Sequence, residues 1–393
     1  MHPATPPANS RMTELDWLRV AAFGLLILFH VGMFYVPWDW HVKSPQPVPA
    51  LQPWMQLSSP WRLCLLFVVS GAALGVALQG GSAAAGARAR SKRLLLPLLL
   101  GVAVIVPPQA YLEVVEKLGY GGSYPDFLAR YFAADQSFCR GSDCLVLPTW
   151  NHLWFVAYLW VYTMLVLALC RLRGTAWLAH PGWQWLTAGG RLLWLPCLLL
   201  ALVRQQLVLP FPSTHNLVWD WFNHGLYGSV FVLGLALWGH ADDRHGAWAT
   251  ALRLRWWALG GAVLALLGMP RLLDSLGGWD SLPAWGQSAW LALGATRHWL
   301  PVLAALGFAR KHLRQRDGPW RRTLADAIFP FYIVHQTVIV VAGHHLARQG
   351  LPQALEATLL ALLTSAVCAL TYLAVRRVAW LRPWFGLPPE RAA

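Results

Sequence analysis

The chain has 393 residues, of which 57% are hydrophobic and only 12% are charged. Soluble domains carry about a quarter charged residues, so a water-soluble protein of this size is excluded because it would lack polar surface. The formal net charge of +14 does not indicate nucleic-acid binding, because the basic residues form short clusters between apolar runs and not one soluble face.

Ten apolar runs follow one another along the chain. A helix needs about 20 apolar residues to cross the hydrocarbon core of a bilayer, and most of the runs approach that length. In chain order the runs are 15–36, 61–78, 94–106, 153–169, 192–209, 221–238, 256–268, 285–309, 324–342 and 354–375. The sequence therefore predicts an all-α fold, a polytopic membrane bundle of about ten transmembrane helices.

Basic residues are concentrated in every second segment between these runs, for example over residues 88–93 and 310–322. Because cytoplasmic loops are enriched in Lys and Arg, this alternation predicts an even number of spans with both termini in the cytoplasm. We expect a disordered cytoplasmic N-terminus over residues 1–13, one membrane domain over 14–378 and a short cytoplasmic tail over 379–393. The first run lacks a small-residue cleavage site, so we interpret it as a retained span.

The longest outer segment, roughly 107–151, contains two cysteines in the sequence SFCRGSDC. An oxidising exterior would let Cys139 and Cys144 form a disulfide. A metal site would need further ligands nearby, so the disulfide is the favoured interpretation and no metal is expected.

Ionisable side chains inside spans are costly and are functional candidates by default. The first run contains Asp16, Arg19 and His30. Arg19 and His30 are eleven residues apart, which is about 16 Å along a helix, and both point to the same face. His152 and His335 are predicted at a depth similar to that of His30.

Several interpretations of these residues remain open. Arg19 snorkelling to headgroups while His30 makes an interhelical hydrogen bond is the structural one. Three converging imidazoles also fit a metal site, a proton relay or a general base, and zinc usually takes more closely spaced ligands. Neutral imidazole can accept a proton from a hydroxyl and return it to a leaving thiolate. Arg19 is too far inward for that step but suits the anionic end of a long substrate.

The same residues resemble a known family of membrane enzymes, the acyltransferase-3 family. Its first-span motif is similar to Leu15 and Asp16 followed by Arg19 and, after ten further residues, His30. FVVSG (67–71) and the basic stretch ending at Arg93 resemble the family's second-span signature and the segment that leads into its third span. WDWHVKSP (38–45), NHLWF (151–155) and YIVHQ (332–336) look closest to the glucans-biosynthesis branch, which is associated with succinylation of periplasmic glucans.

The resemblance implies transfer of an acyl group, acetyl or succinyl, from cytoplasmic acyl-CoA to a sugar hydroxyl of a periplasmic or envelope glycan. It implies His30 as the catalytic base and Arg19 as a donor-side or structural cation. We infer that His152 and His335 support the chemistry. The predicted substrate-binding residues are Asp16, Arg19, Arg90, Arg93, Trp38, His41 and Trp154. Arg62 or Arg297 is a candidate for a succinyl carboxylate, although a snorkelling or paired cation is the simpler interpretation.

Two other functions fit the sequence. One is a transporter or flippase of an anionic acyl or glycan intermediate, and the other is a non-catalytic membrane scaffold. For the enzyme we expect membrane lipid, an acyl-CoA donor and a glycan acceptor as partners, no nucleic acid, and no permanently bound cofactor beyond the co-substrate acyl-CoA. A homo-oligomer is compatible with the sequence, and the expected location is the bacterial inner (cytoplasmic) membrane.

Overall fold

The computed structural model describes residues 12–79, 83–240 and 242–388. Nearly all of the expected disordered N-terminus, and the last five residues of the expected tail, lie outside the described residues. Fifteen α-helices account for most of the described chain: α1 Thr13–Tyr35, α2 Gln52–Ser58, α3 Arg62–Leu78, α4 Ala83–Leu100, α5 Pro107–Leu118, α6 Tyr124–Phe132, α7 Trp154–Arg173, α8 Pro181–Thr187, α9 Arg191–Leu207, α10 Trp221–Leu233, α11 Ala247–Val263, α12 Met269–Ser275, α13 Ala284–His312, α14 Pro319–Leu346 and α15 Gln353–Arg377.

Three α-helices, α4, α10 and α11, continue into short π-helical segments, which are Gly101–Ile105, Gly234–Trp238 and Leu264–Gly268. After the first of these, Pro107 and Pro108 open α5. Proline is tolerated in the first turn of a helix because its missing N–H would be unpaired there. The chain is bent by 40° at this junction, as expected where a π-helical segment meets prolines.

The described strands form one small hairpin, β1 Cys139–Arg140 and β2 Asp143–Cys144, in the long segment predicted outside the membrane. Cys139 lies opposite Cys144, and a disulfide joins them. Nearby, hydrogen bonds from Ser137 and the Arg130 guanidinium lower the pKa of Asp135 to about 2. The ionised carboxylate of Asp135 therefore ties the end of α6 to the start of the hairpin.

Within the described residues, six helical stretches are long and apolar enough to cross a membrane: Thr13–Tyr35, Pro49–Leu78, Asn151–Arg173, Ala247–Ser275, Pro319–Leu346 and Gln353–Arg377. Two further pairs of helices are each bent at a short break, and the number rises to eight if each pair is one span. The pairs are Gly86–Ile105 with Pro107–Leu118 and Ala176–Thr187 with Arg191–Leu207. The chain is thus a helical, multi-pass membrane protein. The remaining two predicted spans, 221–238 and 285–309, are helical but are not among these stretches, so the count of about ten stays a prediction.

The chain divides into two compact units. Unit 1 contains the described parts of Met1–Ala22, Pro60–Gly86 and Leu165–Ala325, and unit 2 those of Phe23–Ser59, Ala87–Met164 and Asp326–Ala393. The expectation of one membrane domain over residues 14–378 stays a prediction.

Unit 1 contains a close contact between α3 and α10 that depends on glycine. A Cβ at Gly71 would lie 2.1 Å from the carbonyl oxygen of Phe231, and one at Gly234 would lie 2.1 Å from that of Val68. Small residues let helix backbones approach each other in this way within membranes. At these two glycines the backbone of α3 therefore packs directly against the backbone that begins with α10.

Unit 2 fixes the C-terminal end of α1 by packing and by one lysine. Phe34, Trp40, Ile339 and Leu360 belong to one buried cluster, which joins α1 to α14 and α15. Lys43 donates hydrogen bonds to the carbonyl oxygens of Met33 and Val36, at the C-terminal end of α1. A helix leaves its last carbonyls without internal partners, and lysine can satisfy them.

The environment of Lys43 is partly dry. Burial lowers its pKa to about 8, although the charge of Asp39 opposes this change. A lysine with such a pKa still donates hydrogen bonds in either protonation state, so it can hold the end of the helix that carries His30.

Candidate active site

A direct hydrogen bond joins the rings of His30 on α1 and His335 on α14. His30 Nδ1 and His335 Nε2 are 2.7 Å apart. The two rings are nearly parallel, with 9° between their planes and 5.0 Å between their centroids. On its other side, His335 Nδ1 lies 2.7 Å from the carbonyl oxygen of Tyr332.

This series of contacts fixes the tautomer of both rings. A carbonyl oxygen can only accept, so neutral His335 carries its proton on Nδ1 and accepts at Nε2. His30 must then donate from Nδ1, and its Nε2 is the nitrogen with the lone pair. His30 therefore has the form of a general base, with one nitrogen that orients the ring and one that can take a proton.

His152 contacts the same backbone carbonyl oxygen, that of Tyr332. It lies in the 3-10 turn Asn151–Leu153, which precedes α7. Its Nε2 donates to the carbonyl oxygens of Tyr332 and Ile333, at 3.1 Å each. The rings of His152 and His335 are nearly perpendicular, with centroids 5.1 Å apart. Among the described residues His152 Nδ1 has no hydrogen-bond partner and is buried. The three histidines named from the sequence thus gather around the Tyr332 carbonyl.

Aromatic side chains surround the His30 imidazole. Trp40 stacks on it with 24° between the planes and 6.3 Å between the centroids. Phe29 contacts the His30 ring and also the ring of Trp38, so Trp38 reaches His30 through Phe29. His30 itself is half-buried, whereas His335 is fully buried. The half-buried His30 ring is therefore held among aromatic side chains.

His41 belongs to a second hydrogen-bonded group next to the first. Its Nδ1 lies 2.5 Å from a carboxylate oxygen of Glu113 on α5. The side-chain amide of Gln336 donates to His41 Nε2 at 2.9 Å and to Gln109 Oε1 at 3.0 Å. Asn151 donates to the same Gln109 oxygen at 3.1 Å. Because Gln336 and Asn151 directly adjoin His335 and His152 in sequence, this group holds both histidine-bearing segments against α5.

Lys117 lies between two carboxylates of unit 2, those of Glu113 and Asp39. Lys117 donates to Glu113 at 2.9 Å and to Asp39 at 3.0 Å. His41 thus lies within a chain of polar side chains that runs from Gln109 and Gln336 to exposed Asp39. Both nitrogens of His41 are engaged in this chain, by Glu113 and Gln336.

Asp16 and Arg19 are placed in unit 1, at the start of α1. The nearest pair of their charged atoms is 3.9 Å apart. Asp16 also accepts a hydrogen bond from Arg321, a buried guanidinium that is bound to Asp317 at 2.7 Å. In the same unit Arg310 pairs with Glu14 at 2.6 Å. Asp16 therefore has a structural partner in addition to any substrate.

The other predicted substrate-binding residues lie in unit 2. Arg90 is half-buried and Arg93 exposed on α4. Trp154, at the first position of α7, is buried, and its ring contacts Tyr158 with centroids 5.0 Å apart. Among the described residues no group of three or more His, Cys, Asp or Glu side chains could hold a metal ion.

Four site residues were not predicted from the sequence: Trp40, Gln336, Gln109 and Glu113. Trp40 and Gln336 lie inside the motifs WDWHVKSP and YIVHQ, so the resemblance to the family already pointed to these two segments of the chain. Gln109 and Glu113 lie in α5, where polar residues on a short amphipathic helix ordinarily indicate a solvated face. No feature of the sequence places α5 beside His41.

Comparison with known proteins gives one match. A family model described as an acyltransferase domain, that of the acyltransferase-3 family, matches residues 12–374. No curated protein and no solved structure matches the chain. The match includes every histidine of the site and both segments that carry the predicted donor-side arginines.

Proposed function

The chain belongs to the acyltransferase-3 family and is an acyltransferase, and we propose that it moves an acetyl or succinyl group from cytoplasmic acyl-CoA to a glycan hydroxyl. The acceptor is a sugar of a periplasmic or envelope glycan, as in the glucans-biosynthesis branch that the motifs around Trp38 and His335 resemble. The protein would act in the bacterial inner membrane, where donor and acceptor are on opposite sides.

The observation that carries this proposal is the orientation of His30. Its Nδ1 donates to His335 Nε2 at 2.7 Å, and His335 Nδ1 donates to the Tyr332 carbonyl at 2.7 Å. The Nε2 of His30 is left as the basic nitrogen, which is the requirement for activating a hydroxyl.

The reaction then follows ordinary acyl transfer. His30 Nε2 takes the proton of the sugar hydroxyl while the hydroxyl oxygen attacks the thioester carbonyl. The C–O bond forms, the carbonyl becomes a tetrahedral oxyanion, and its collapse breaks the C–S bond. The proton held by His30 passes to the leaving thiolate, so the products are an ester and free CoA.

Each remaining residue has a role in this proposal. His335 is a positioning residue, because it sets the tautomer of His30 and is fully buried. His152 supports it by donating to the same carbonyl. Arg19, Arg90 and Arg93 would bind the phosphates of the donor, since guanidinium binds phosphate bidentately. Trp38, His41 and Trp154 would bind the substrate or shape its path.

The test is mass spectrometry of periplasmic and envelope glycans from cells that lack the protein, complemented with wild type or with His30→Asn. Asn can still donate to His335 but has no basic nitrogen, so the site keeps its shape and loses its base. We expect wild type to add a discrete acyl mass to a glycan and His30→Asn to lower the amount by about 10²-fold or more. The mass increment would also distinguish acetyl from succinyl.

A matched control is His345→Ala, which changes an exposed histidine near the end of the same helix that carries His335. It should restore the wild-type mass at equal membrane abundance. If His30→Asn also restores it, His30 is not the base. If wild type adds no mass to any glycan, glycans are not the acceptor. If a substrate then also crosses the membrane chemically unchanged, the transporter interpretation is preferred.

A further inference from the structure

Unit 1 contains a group of cations that have no role in the proton transfers described above, among them Arg297, a candidate from the sequence for a succinyl carboxylate. Arg204 on α9 donates from Nε to the carbonyl oxygen of Leu291 at 2.8 Å. Its Nη1 lies 3.1 Å from His298 Nε2, and His298 Nδ1 lies 2.6 Å from the carbonyl oxygen of Pro60. His298 must donate to that carbonyl and accept from Arg204, so it is neutral and adds no charge of its own.

Arg204 is held close against α13. A Cβ at Gly294 would lie 2.7 Å from its Nη2 and 2.9 Å from its Cζ. The glycine thus allows the guanidinium to lie on the helix backbone. Several contacts fix this cation, and all of them are to neutral groups.

Arg297, the residue before His298, is the second cation. In the part of the chain that the structure describes, it forms no ion pair with a carboxylate, and its buried Nε has no hydrogen-bond partner. The Arg204 guanidinium lies against Gly294, three residues before Arg297 and within one helical turn of it, so the two cations are neighbours. Arg62, two residues beyond Pro60, is a further buried arginine in this unit.

The position of Arg297 on α13 makes its positive charge energetically costly. Leu293 precedes it by four residues and is exposed, so the half-buried Arg297 lies at the edge of the outward face of the helix. Residues four apart share a helix face. In the predicted topology this face meets lipid, where a guanidinium without a counterion is strongly disfavoured.

We propose that Arg297 and Arg204 form an oxyanion-binding site in unit 1, which takes a carboxylate or phosphate group. Arg204 is fixed in advance by Leu291 and His298, and Nε of Arg297 has no hydrogen-bond partner among the residues that the structure describes. Charge-assisted hydrogen bonds from guanidinium to an oxyanion are among the strongest available to a side chain. The oxyanion comes either from solution or from the headgroup of an anionic amphiphile.

The experiment measures thermal unfolding of the full chain in detergent, with and without added anions. The soluble probes are phosphate and succinate, compared with chloride at equal ionic strength. The amphiphile probe is phosphatidylglycerol in the micelle, compared with phosphatidylcholine. We expect a rise in the unfolding midpoint with at least one oxyanion, and an apparent affinity about tenfold weaker in Arg297→Gln, which corresponds to the loss of about 1.4 kcal/mol.

Two further variants separate binding from structure. Arg271→Gln removes an exposed arginine of the same unit and should keep the full response. Without any oxyanion, Arg297→Gln should be at least as stable as wild type, because it removes a buried charge that the protein does not balance. A response to soluble oxyanion identifies solution as the source, and a response to phosphatidylglycerol alone identifies the bilayer. The proposal is overturned if no oxyanion shifts the midpoint, or if Arg297→Gln keeps the full shift.

Discussion

Two hydrogen bonds in series decide which nitrogen of His30 carries a proton. The Tyr332 carbonyl accepts from His335, and His335 accepts from His30. The carbonyl also accepts from His152 Nε2 at 3.1 Å. A backbone oxygen with two such donors orients both histidines without a carboxylate, so the site can remain neutral until His30 takes a proton.

This arrangement makes a prediction for His335. In His335→Gln a side-chain oxygen can still accept from His30 Nδ1, whereas His335→Leu removes the acceptor and frees the His30 ring to adopt the other tautomer. We expect the transfer rate to fall by about tenfold in His335→Gln and by about 10²–10³-fold in His335→Leu, within the range for general-base catalysis. The measurement is the rate of acyl transfer by purified protein at saturating donor.

The pair of variants also separates positioning from packing. Both replace a fully buried ring, so both should lower the unfolding midpoint by similar amounts. Equal rates in the two variants would mean that His335 only fills space. Recovery of activity in the variant that keeps an acceptor is the result that a merely structural residue would not give.

At the residue scale, the three histidines can be identified from the sequence, but the groups that orient their rings cannot. His30, His152 and His335 were each identified separately, because an ionisable side chain inside a span is energetically costly. The carbonyl at Tyr332 carries no signal, because every residue has one. Glu113 was missed since its partner His41 is 72 residues away, and hydrophobic periodicity gives no information on contacts between distant segments.

At the element scale, the apolar runs predict the helices well and their joints poorly. All ten runs lie in helices, because a continuous apolar stretch in a bilayer must satisfy its own backbone. The bend between Gly101–Ile105 and α5 was not predicted, although prolines mark it. Helix packing is likewise hidden in the sequence, where Gly71 and Gly75 in α3 are two small residues among several.

The contact between α3 and α10 gives a prediction for Gly71. In Gly71→Ala the new methyl group meets the backbone of Phe231, which cannot move aside as a side chain would. We expect a loss of at least about 2 kcal/mol in stability from overpacking, which lowers the unfolding midpoint of a chain of this length by about 2–3 °C. Thermal unfolding of the purified protein in detergent measures it.

Gly260→Ala is the matched control, in α11 of the same unit. A Cβ there would have no heavy atom within 4 Å, and alanine favours a helix over glycine by up to about 1 kcal/mol. It should be neutral or slightly stabilising. Similar midpoints for the two alanine variants would mean that α3 and α10 do not touch at Gly71 in the membrane.

At the scale of the whole molecule, the number of spans depends on two helical stretches. The eight stretches counted with the bent pairs become ten only if 221–238 and α13 also cross the membrane. Both carry polar residues that lower their hydropathy, among them Asn223, Arg297 and His298. Charge alternation in the loops favours crossing, since the segments before and after α13 differ strongly in basic residues. Any even count would leave both termini on the same side of the membrane, as the charge alternation predicts.

The crossing of α13 can be tested by labelling one cysteine at each end. Ser281→Cys lies just before α13 and Gln315→Cys just after it, and both are placed in loops of unit 1. If α13 spans the bilayer, a membrane-impermeant maleimide should label Ser281→Cys in intact spheroplasts and Gln315→Cys only after permeabilisation. The parent chain gives the background: Cys64, Cys170 and Cys368 are buried, and the half-buried Cys197 is replaced by serine in the parent and in both variants. Labelling of both positions from the same side would place the two ends of α13 together and reduce the count of spans. It would also move Arg297 out of the bilayer and remove the cost from which its oxyanion site is inferred, so this measurement tests both the topology and the reason for that site.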